Sequence, residues 1–467
     1  MAEQAVGEPP LGHRGPARLG DDEPPPRAAP RASRYPGSVP IAELSFDSDP
    51  VRLTHQLFRF PAKLHPPAAR ALIQRYSSSG DVILDPFVGS GTVLVESMAA
   101  GRVCIGADID PLSVFVSRVK TTPIHPLRLE LGFARLLDEI GPQRRSPRRY
   151  IELMSVDLGD EEYATESIGL WIPAIPNLAH WFRRYVVIDL ARLRQAIVAL
   201  DVPSAERKFF LLCFAAVLRN ASNADPVPVS GLEVTAHMRR LEAAGRLIDP
   251  FLLFERKVRG AIRDMAEFWD GSARRAPARV LRSDATRISA SLRSKVDCVI
   301  TSPPYHGAVD YYRHHQLEMY WLGLTMNHNE RLKLLADYIG RPKVPAKHRF
   351  VHAQLPEGTP SEVEKCMRVS DPGRANAFRH YCTGMRRSFE SVARVLVPSG
   401  WMVVVVGHST WNGDVLNTSD LLVALARPRF RLVEQLSYPV RNRYMSYSRH
   451  NGANIDREYV LAFRKGL

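Results

Sequence analysis

The sequence predicts an α/β fold in which a doubly wound sheet of about seven strands carries a large helical insertion. Two observations lead to this prediction. Short apolar runs typical of buried strands recur along the chain, and the first, at residues 81–84, passes through a glycine-rich turn into an apolar helix. Between residues 123 and 276, apolar residues recur instead at spacings of three and four, which is the helical period.

The elements follow from these patterns in chain order. Residues 1–42 are rich in Pro, Arg, Gly and Ala and hold few residues that could form a core, so we predict a disordered tail. A helix at 66–76 precedes strands at 81–84 and 102–107, and a further helix reaches residue 120. After the insertion, strands are predicted at 279–281, 296–301, 401–406, 431–438 and 458–463.

The charge balance favours a polyanionic partner. The chain of 467 residues has a formal net charge of +14, and basic side chains gain affinity for phosphates through counterion release. Part of this surplus lies in the tail, and Arg outnumbers Lys. The alternative explanation of the positive charge is therefore the base composition of the genome, which can favour Arg codons.

The cysteine pattern and the hydropathy exclude several classes of protein. The five cysteines, Cys104, Cys213, Cys298, Cys366 and Cys382, show no C-x-x-C spacing. We therefore predict no disulfides, no structural zinc site and no other metal. No apolar stretch approaches the roughly 20 residues that span a bilayer, and none follows Met1, so we predict no membrane association and a cytoplasmic location.

The glycine-rich turn is the first candidate binding element. It reads D-P-F-V-G-S-G-T at 85–92, and glycines at 89 and 91 allow the backbone to approach a bound group closely. It matches neither the G-x-G-x-x-G nor the G-x-x-x-x-G-K-[ST] pattern. The next strand ends at Asp108, whose carboxylate can accept hydrogen bonds from ribose hydroxyls, and Asp110 is an alternative for this role.

The second candidate element is T-S-P-P-Y at 301–305, directly after an apolar strand. Strand ends are where α/β enzymes carry their chemistry. The two prolines hold a hydroxyl, a carbonyl and an aromatic ring in a fixed arrangement that suits a flat base with an exocyclic amino group. A strand followed by an ordinary proline turn is the alternative.

Together these motifs resemble those of the S-adenosylmethionine-dependent amino-methyltransferases that modify adenine N6 or cytosine N4 in DNA. The resemblance rests on the two motifs above, on G-x-D-x-x-P at 106–111, on F-P-A-K-L-H-P at 60–66 and on V-L-R-S-D-A at 280–285. It implies a Rossmann-like seven-stranded methyltransferase sheet. In this family S-P-P-Y is commoner among the cytosine N4 enzymes, which favours N4 methylation of cytosine in duplex DNA by base flipping and direct in-line transfer.

The resemblance also implies roles for individual residues. The catalytic corner would comprise Ser302, Pro303, Pro304 and Tyr305. The cofactor contacts would be Lys63, Asp85, Phe87, Gly89, Ser90, Gly91, Thr92, Asp108, Ile109, Asp284 and Thr301. Within this set, Lys63 would meet the methionine carboxylate, Asp108 the ribose and Asp284 the adenine amino group.

The domain organisation follows from the same resemblance. Residues 43–122 and 277–467 would form the catalytic domain, and the helical insertion at 123–276 is a candidate for target recognition. The glycine-rich box precedes the catalytic motif here, whereas the family more often has the reverse order. The target-recognition region therefore does not carry over from the family.

Two basic segments are candidate DNA contacts. The first holds Arg341, Lys343, Lys347 and Arg349 in a proline-punctuated stretch within residues 324–372, which we interpret as a mobile loop over the site. The second holds Arg441 and Arg443. A solvated charged loop is the alternative for the first segment. A third cluster, of aromatic and arginine residues at 171–185, suits either a nucleic-acid backbone or helix packing.

Several functions stay open. Adenine N6 methylation is the nearest alternative, RNA amino-methylation is another, and a binding module on an inactive fold is a third. A restriction endonuclease is a possible partner of a site-specific enzyme.

Overall fold

The computed structural model describes residues 39–47, 53–226, 231–271, 276–288, 292–293, 295–306, 311–341, 344, 347, 354–355, 359, 361–411, 414–440 and 456–466. The part of the chain from residue 39 onward forms one compact unit. The strands are β1 (Ile41–Glu43), β2 (Val82–Asp85), β3 (Val103–Asp108), β4 (Ala278–Arg282), β5 (Val296–Thr301), β6 (Leu396–Gly407), β7 (Ser409–Trp411), β8 (Asp414–Leu416), β9 (Phe430–Pro439) and β10 (Arg457–Lys465).

The helices fall into three groups along the chain. The first group is α1 (Pro66–Tyr76), α2 (Thr92–Ala99) and α3 (Pro111–Lys120). The second is α4 (Pro126–Ile140), α5 (Pro147–Ser155), α6 (Asp160–Glu166), α7 (Leu178–Trp181), α8 (Arg184–Ala199), α9 (Ser204–Ala221), α10 (Ala236–Ala243) and α11 (Pro250–Asp270). The third is α12 (Tyr311–His314), α13 (Gln316–Trp321), α14 (His328–Ala336), α15 (Ser361–Ser370), α16 (Pro372–Val395) and α17 (Thr418–Ala426).

The main sheet has eight strands in the order β1-β9-β10-β6-β5-β2-β3-β4. Its strands are parallel except β10, which pairs antiparallel with both β6 and β9. The predicted doubly wound α/β fold is confirmed, and all of the predicted strands are present. The predicted count of seven is wrong by one, because β1 adds a parallel strand at the edge of β9. The predicted tail boundary at residue 42 lies inside β1, and residues 1–38 lie outside the described part of the chain.

Alternate residues of the central strands feed two different cores. Ile83 and Cys298 point into one core, whereas their neighbours Leu84 and Val299 point into the other. This alternation is the period-2 geometry of a strand whose two faces are both covered. The first core includes α1, α2 and most of the helices between α4 and α11, and the second includes α16 and α17. The helical insertion therefore shares its core with one face of the sheet.

Two further elements differ from the sequence-based expectation. Residues 324–372, predicted as a loop, contain α14 and α15. A small antiparallel ribbon, β7 with β8, follows the end of β6.

All five cysteines are free, and only Cys366 is exposed. In the described ranges, no helix is both long enough and apolar enough to cross a membrane.

Candidate active site

A cavity opens at the carboxyl ends of the parallel strands. In the sheet order, the chain moves outward from β2 in one direction and resumes at β5 in the other, which makes this edge the topological switch point where ligands bind in open α/β sheets. The cavity has an empty volume of about 920 Å³, including its part open to solvent. It is lined by Phe60, Ala62, Lys63, Leu64, Asp85, Pro86, Phe87, Val88, Gly89, Ser90, Thr92, Val93, Asp108, Ile109, Asp110, Ser113, Asp284, Ala285, Ser302, Pro304, Asp337, Tyr338 and Ile339.

The cavity therefore brings together most of the residues proposed from the sequence. Of the predicted cofactor contacts, Gly91 and Thr301 are not among the lining residues, and of the predicted catalytic corner, Pro303 and Tyr305 are not. Each of these four is a direct chain neighbour of a lining residue or bonds to one.

The glycine-rich turn joins β2 to α2 and is seated on α3. Gly89 has φ +46° and Gly91 has φ +78°, which is the left-handed region. The Ser117 hydroxyl donates to the Gly89 carbonyl at 2.9 Å. A Cβ on Gly91 would lie 3.0 Å from Ser117 Oγ and 3.2 Å from Ser117 Cα. Glycine is needed at position 91 for both conformation and space.

Asp85 is a buried carboxyl at the end of β2. Thr301, at the end of neighbouring β5, donates its hydroxyl to Asp85 Oδ1 at 2.6 Å, and the Phe87 amide donates to the same oxygen at 3.1 Å. Burial raises the pKa of Asp85 to about 7, against the lowering effect of these two donors. Thr301 thus acts on the cavity through Asp85.

Asp108 and Asp110 divide their roles. Asp108 accepts from the Gly89 amide at 2.9 Å through one oxygen and from the Asp110 amide at 2.9 Å through the other. Each carboxylate oxygen keeps a further acceptor site, and Asp108 lines the cavity. Asp110 instead caps α3, since its Oδ1 accepts from the Leu112 amide at 2.7 Å.

Both carboxyl groups titrate abnormally. Burial, with the nearby charge of Asp110 as the next cause, raises the pKa of Asp108 to about 7. Burial also raises the pKa of Asp110. A cationic group entering the cavity would stabilise the ionised forms of both.

Lys63 reaches the cavity from the segment before α1. Its Nζ donates to the His55 carbonyl at 3.5 Å, and Nζ of the fully buried Lys120 donates to the same carbonyl at 3.5 Å. Burial lowers the pKa of Lys63, and burial followed by repulsion from Lys63 lowers that of Lys120 well below its usual range. Only Lys63 of this pair lines the cavity.

The His55 ring, which does not line the cavity, bonds to a carboxylate of α2. Its Nε2 bonds to Glu96 Oε1 at 2.7 Å, and Arg70 donates to the other oxygen of Glu96 at 3.0 Å. This network fixes α2 against the segment that holds Lys63.

The remaining wall comes from two segments distant in sequence. Asp284, after β4, lines the cavity and accepts from the Thr286 amide at 2.8 Å. Tyr338 and Ile339, which follow α14, line it from within the segment predicted as a loop over the site. A Cβ on Gly384 of α16 would lie 2.9 Å from Ile339, so this segment packs closely onto α16.

The predicted catalytic corner leaves the end of β5 as a tightly packed turn. Ser302 and Pro304 face the cavity, Pro303 is buried, and Tyr305 is partly buried. Gly340 packs on the corner, because a Cβ there would lie 3.1 Å from both the Pro304 Cβ and the Tyr305 carbonyl oxygen.

The residue after the corner anchors it to α16. His306 is buried, with its ring 5.4 Å from that of Phe378 and 5.7 Å from that of Tyr381. Burial lowers the pKa of His306 to about 3, so this ring is neutral near pH 7.

The predicted DNA contacts are only partly described. Arg341 is partly buried beside Gly340, and Lys347 is exposed. Lys343, Arg349, Arg441 and Arg443 lie outside the described residues. The aromatic and arginine cluster at 171–185 serves packing: Phe182 and Tyr185 are buried, and Arg183 pairs with Glu242 at 2.6 Å.

The sequence gives no sign that Tyr338 and Ile339 line the cavity. Phe60 and Leu64 belong to the F-P-A-K-L-H-P motif, which assigns them no role, yet both line the cavity, and the Phe60 ring lies 4.7 Å from that of His315. Phe60 also packs next to the glycine turn, because its Cε1 lies 3.7 Å from a Cβ built on Gly89. No local pattern in the sequence predicts this contact. Within the described residues, no group of three or more His, Cys, Asp or Glu side chains is arranged to hold a metal ion.

The sheet order, the glycine turn and the acidic strand ends are those of a Rossmann-like α/β fold. Residues 44–114 match the N6/N4 methyltransferase family, described as DNA methylase. The chain is 24% identical to the Type II methyltransferase M.MvaI of Kocuria varians over 372 residues, which is 77% of each chain. It is 30% identical to the Type II methyltransferase M.MjaII of Methanocaldococcus jannaschii over 128 residues, 27% of this chain and 22% of that protein.

These matches confirm the resemblance that the motifs predict: the chain is similar to the S-adenosylmethionine-dependent DNA amino-methyltransferases. Among solved structures, the rRNA methyltransferase aviRa of Streptomyces viridochromogenes aligns with a TM-score of 0.30 at 10% identity, over 89% of this chain and 91% of that chain.

Proposed function

We propose that this protein is a site-specific DNA methyltransferase that transfers a methyl group from S-adenosylmethionine to the N4 amino group of cytosine. The single observation that carries the proposal is the position of Ser302 and Pro304 on the wall of the same cavity as the glycine-rich turn and Asp108. A cofactor bound along the turn would lie beside the corner. Proximity of this kind is what methyl transfer requires of a protein.

The residues around the cavity fit the cofactor chemically. Its sulfonium and ammonium groups are cationic, and Asp85 and Asp108 are carboxyl groups that gain from a nearby positive charge. Its carboxylate suits Lys63, its ribose hydroxyls suit the remaining acceptor sites of Asp108, and its adenine amino group suits Asp284. When bound, the cofactor supplies an electrophilic methyl group.

The corner would act on the target amino group. The nitrogen lone pair of cytosine N4 is delocalised into the ring, which makes the amino group a poor nucleophile. The Ser302 hydroxyl oxygen and the Pro303 carbonyl would accept hydrogen bonds from its two N–H groups, which favours a tetrahedral nitrogen with its lone pair free for in-line attack. Tyr305 would stack on the base, which must leave the duplex to reach this depth.

Duplex DNA is the proposed polymer. The relatives named above are DNA methyltransferases, and the surplus of positive charge, +14, favours a phosphate backbone. Lys347 and Arg341 are the described candidates for backbone contacts. As in Type II systems, a restriction endonuclease of the same specificity would be the matching partner.

The test is direct. The purified protein is incubated with labelled S-adenosylmethionine and mixed-sequence duplex DNA, and the nucleosides are identified by mass spectrometry. We expect N4-methylcytosine with the wild type and at least a hundredfold less with Ser302→Ala, because one preorganised acceptor is lost. The variant should keep its affinity for S-adenosylmethionine, which serves as the folding control.

Other products would correct the proposal in defined ways. N6-methyladenine would keep the mechanism and overturn the choice of base. Label in folded RNA with none in DNA would overturn the polymer. No label in any nucleic acid would overturn the proposal as a whole.

A further inference from the structure

A partly buried carboxylate lies behind the proposed catalytic corner. Tyr305 donates its hydroxyl to Glu458 Oε1 at 3.0 Å, and Tyr438 donates its hydroxyl to Glu458 Oε2. Glu458 belongs to β10 and Tyr438 to the neighbouring β9. The two residues are directly opposite each other in the antiparallel pairing of these strands. Three elements therefore meet at one carboxylate.

The chemistry of this group is that of an acceptor. Burial raises the pKa of Glu458, and the hydroxyls of Tyr438 and Tyr305 act in the opposite direction by bonding to its ionised form. Burial and the adjacent carboxylate raise the pKa of Tyr438 well above its usual range, so Tyr438 stays a donor. A carboxylate with both oxygens engaged is costly to move, because a displaced charge would lose its donors in a poorly solvated place.

The Tyr305 ring is thereby held at both ends. Its backbone is restrained by the two preceding prolines and by the close approach of Gly340 to the Tyr305 carbonyl oxygen. Its hydroxyl is fixed by Glu458. These two anchors fix the long axis of the ring, which runs from Cβ to the hydroxyl oxygen.

We propose that Glu458, backed by Tyr438, is a positioning residue that holds the long axis of the Tyr305 ring where the ring can stack on the extruded base. This inference rests on the proposed function, because it assigns the support of a ring whose role in base stacking is part of that function. Glu458 does not contact the base itself. It acts through Tyr305.

The support continues to the edge of the sheet. The ring of Phe46 meets that of Tyr438 edge-on at 5.3 Å between centroids. The Leu44 amide donates to the carbonyl of Ser437, the residue before Tyr438, at 2.9 Å. The segment that follows β1 therefore packs against Tyr438.

The experiment is a double-mutant cycle on Tyr305→Phe and Glu458→Gln, both near-isosteric. Each single change should lower kcat/KM for DNA about tenfold, with the affinity for S-adenosylmethionine within twofold of wild type. The double variant should be no worse than either single one, because both remove the same bond. Tyr438→Phe should give a smaller loss, about threefold.

The second readout reports on stacking. With 2-aminopurine at the target position, the wild-type complex should show a strongly quenched extruded base, and Glu458→Gln should increase its long-lived fluorescence component. Tyr76→Phe is the matched control, because it removes another tyrosine hydroxyl bonded to a glutamate, Glu434 at 2.5 Å, elsewhere on β9. It should leave kcat, KM and fluorescence unchanged within twofold.

The outcomes separate the two proposals. Full activity and unchanged fluorescence in Glu458→Gln, or losses that multiply in the double variant, would overturn this inference alone. If the wild type methylates adenine or RNA, the same variants are measured on that substrate. A wild type that methylates no nucleic acid would overturn the proposed function and this inference with it.

Discussion

At the scale of single residues, the carboxyl groups of Asp85 and Asp108 are poised to change charge near neutral pH. Asp85 has a pKa raised from an ordinary value of 3.8 to about 7 by burial, and its hydrogen bond from Thr301 offsets only part of that effect. The folded protein therefore holds a proton that the unfolded chain releases between these two values. This stabilising contribution is present at pH below 3.8 and is lost as the pH rises towards 7.

Asp85→Asn should remove this pH dependence, because the amide is neutral in both states. In the absence of cofactor, we expect the stability of the variant relative to wild type to rise by about 2–3 kcal/mol between pH 5 and pH 8. Urea denaturation at several pH values measures the difference. Parallel curves for the two proteins would show that Asp85 titrates in the folded state as it does in the unfolded chain.

At the scale of elements, the junction of β2 with α2 depends on how α3 lies against it. Gly91 precedes the first residue of α2 and touches Ser117 of α3, which is fully buried. The turn is thus shaped by a helix that comes later in the chain. Asp110 in turn caps that helix, and it also lines the cavity beside Asp108.

Gly91→Ala should combine backbone strain with a clash against Ser117, and Gly80→Ala provides the matched control. Gly80 has φ +86° but nothing within 4 Å of a built Cβ. We expect about 1–2 kcal/mol of destabilisation for Gly80→Ala from strain alone, and a further 1–3 kcal/mol or so for Gly91→Ala from overpacking. Urea midpoints and calorimetric titration with S-adenosylmethionine check this. Equal losses at the two positions would mean that α3 moves away without cost.

The elements with strong local patterns were predictable from the sequence, and those without were not. The central strands contain continuous apolar runs, as in residues 401–406 of β6, because both faces are covered. Strand β1 has only three residues, of which Ala42 and Glu43 are exposed. It is a strand because it pairs with β9, which lies far along the chain. No local periodicity in the sequence predicts this pairing. The helices α14 and α15 were not predicted either. They lie on either side of a stretch of Pro, Gly and Lys residues that indicated a loop.

At the scale of the whole molecule, the charge surplus should appear as a steep salt dependence of DNA binding. Lys347, exposed in the segment after the cavity wall, is a candidate phosphate contact, and Lys208 is an exposed lysine near the start of α9. Residue Arg219, at the other end of α9, bonds to the His314 carbonyl downstream of the corner. Lys208 therefore lies well away from the corner.

Lys347→Ala should reduce the slope of log Kd against log salt by about 1, as expected for one lost phosphate contact. Lys208→Ala removes the same formal charge and should leave the slope unchanged. Fluorescence anisotropy with a labelled duplex at several salt concentrations measures both. An equal change in the two variants would mean that only net charge matters, and no change with Lys347→Ala would remove this residue from the interface.

The residues of the candidate site that belong to short sequence motifs were predictable. Asp85, Asp108 and Ser302 lie at strand ends with recognisable neighbours, and parallel strands bring such ends to one edge of the sheet. The supporting groups were not predictable in this way. Tyr338 follows a helix that the sequence did not indicate, and Glu458 contacts Tyr305 across 153 positions of the chain. Such pairs arise from the folded topology alone.

The short strand β1 also bears on how the protein behaves in solution. It pairs Ile41, Ala42 and Glu43 with the backbone of Gln435, Leu436 and Ser437, a stretch of β9 that is buried in the folded protein. An exposed strand edge with apolar neighbours is a template for pairing between molecules. A protein shortened to begin at residue 48 would lack β1 and leave this edge of β9 unpaired. We expect such a protein to self-associate and to be poorly soluble.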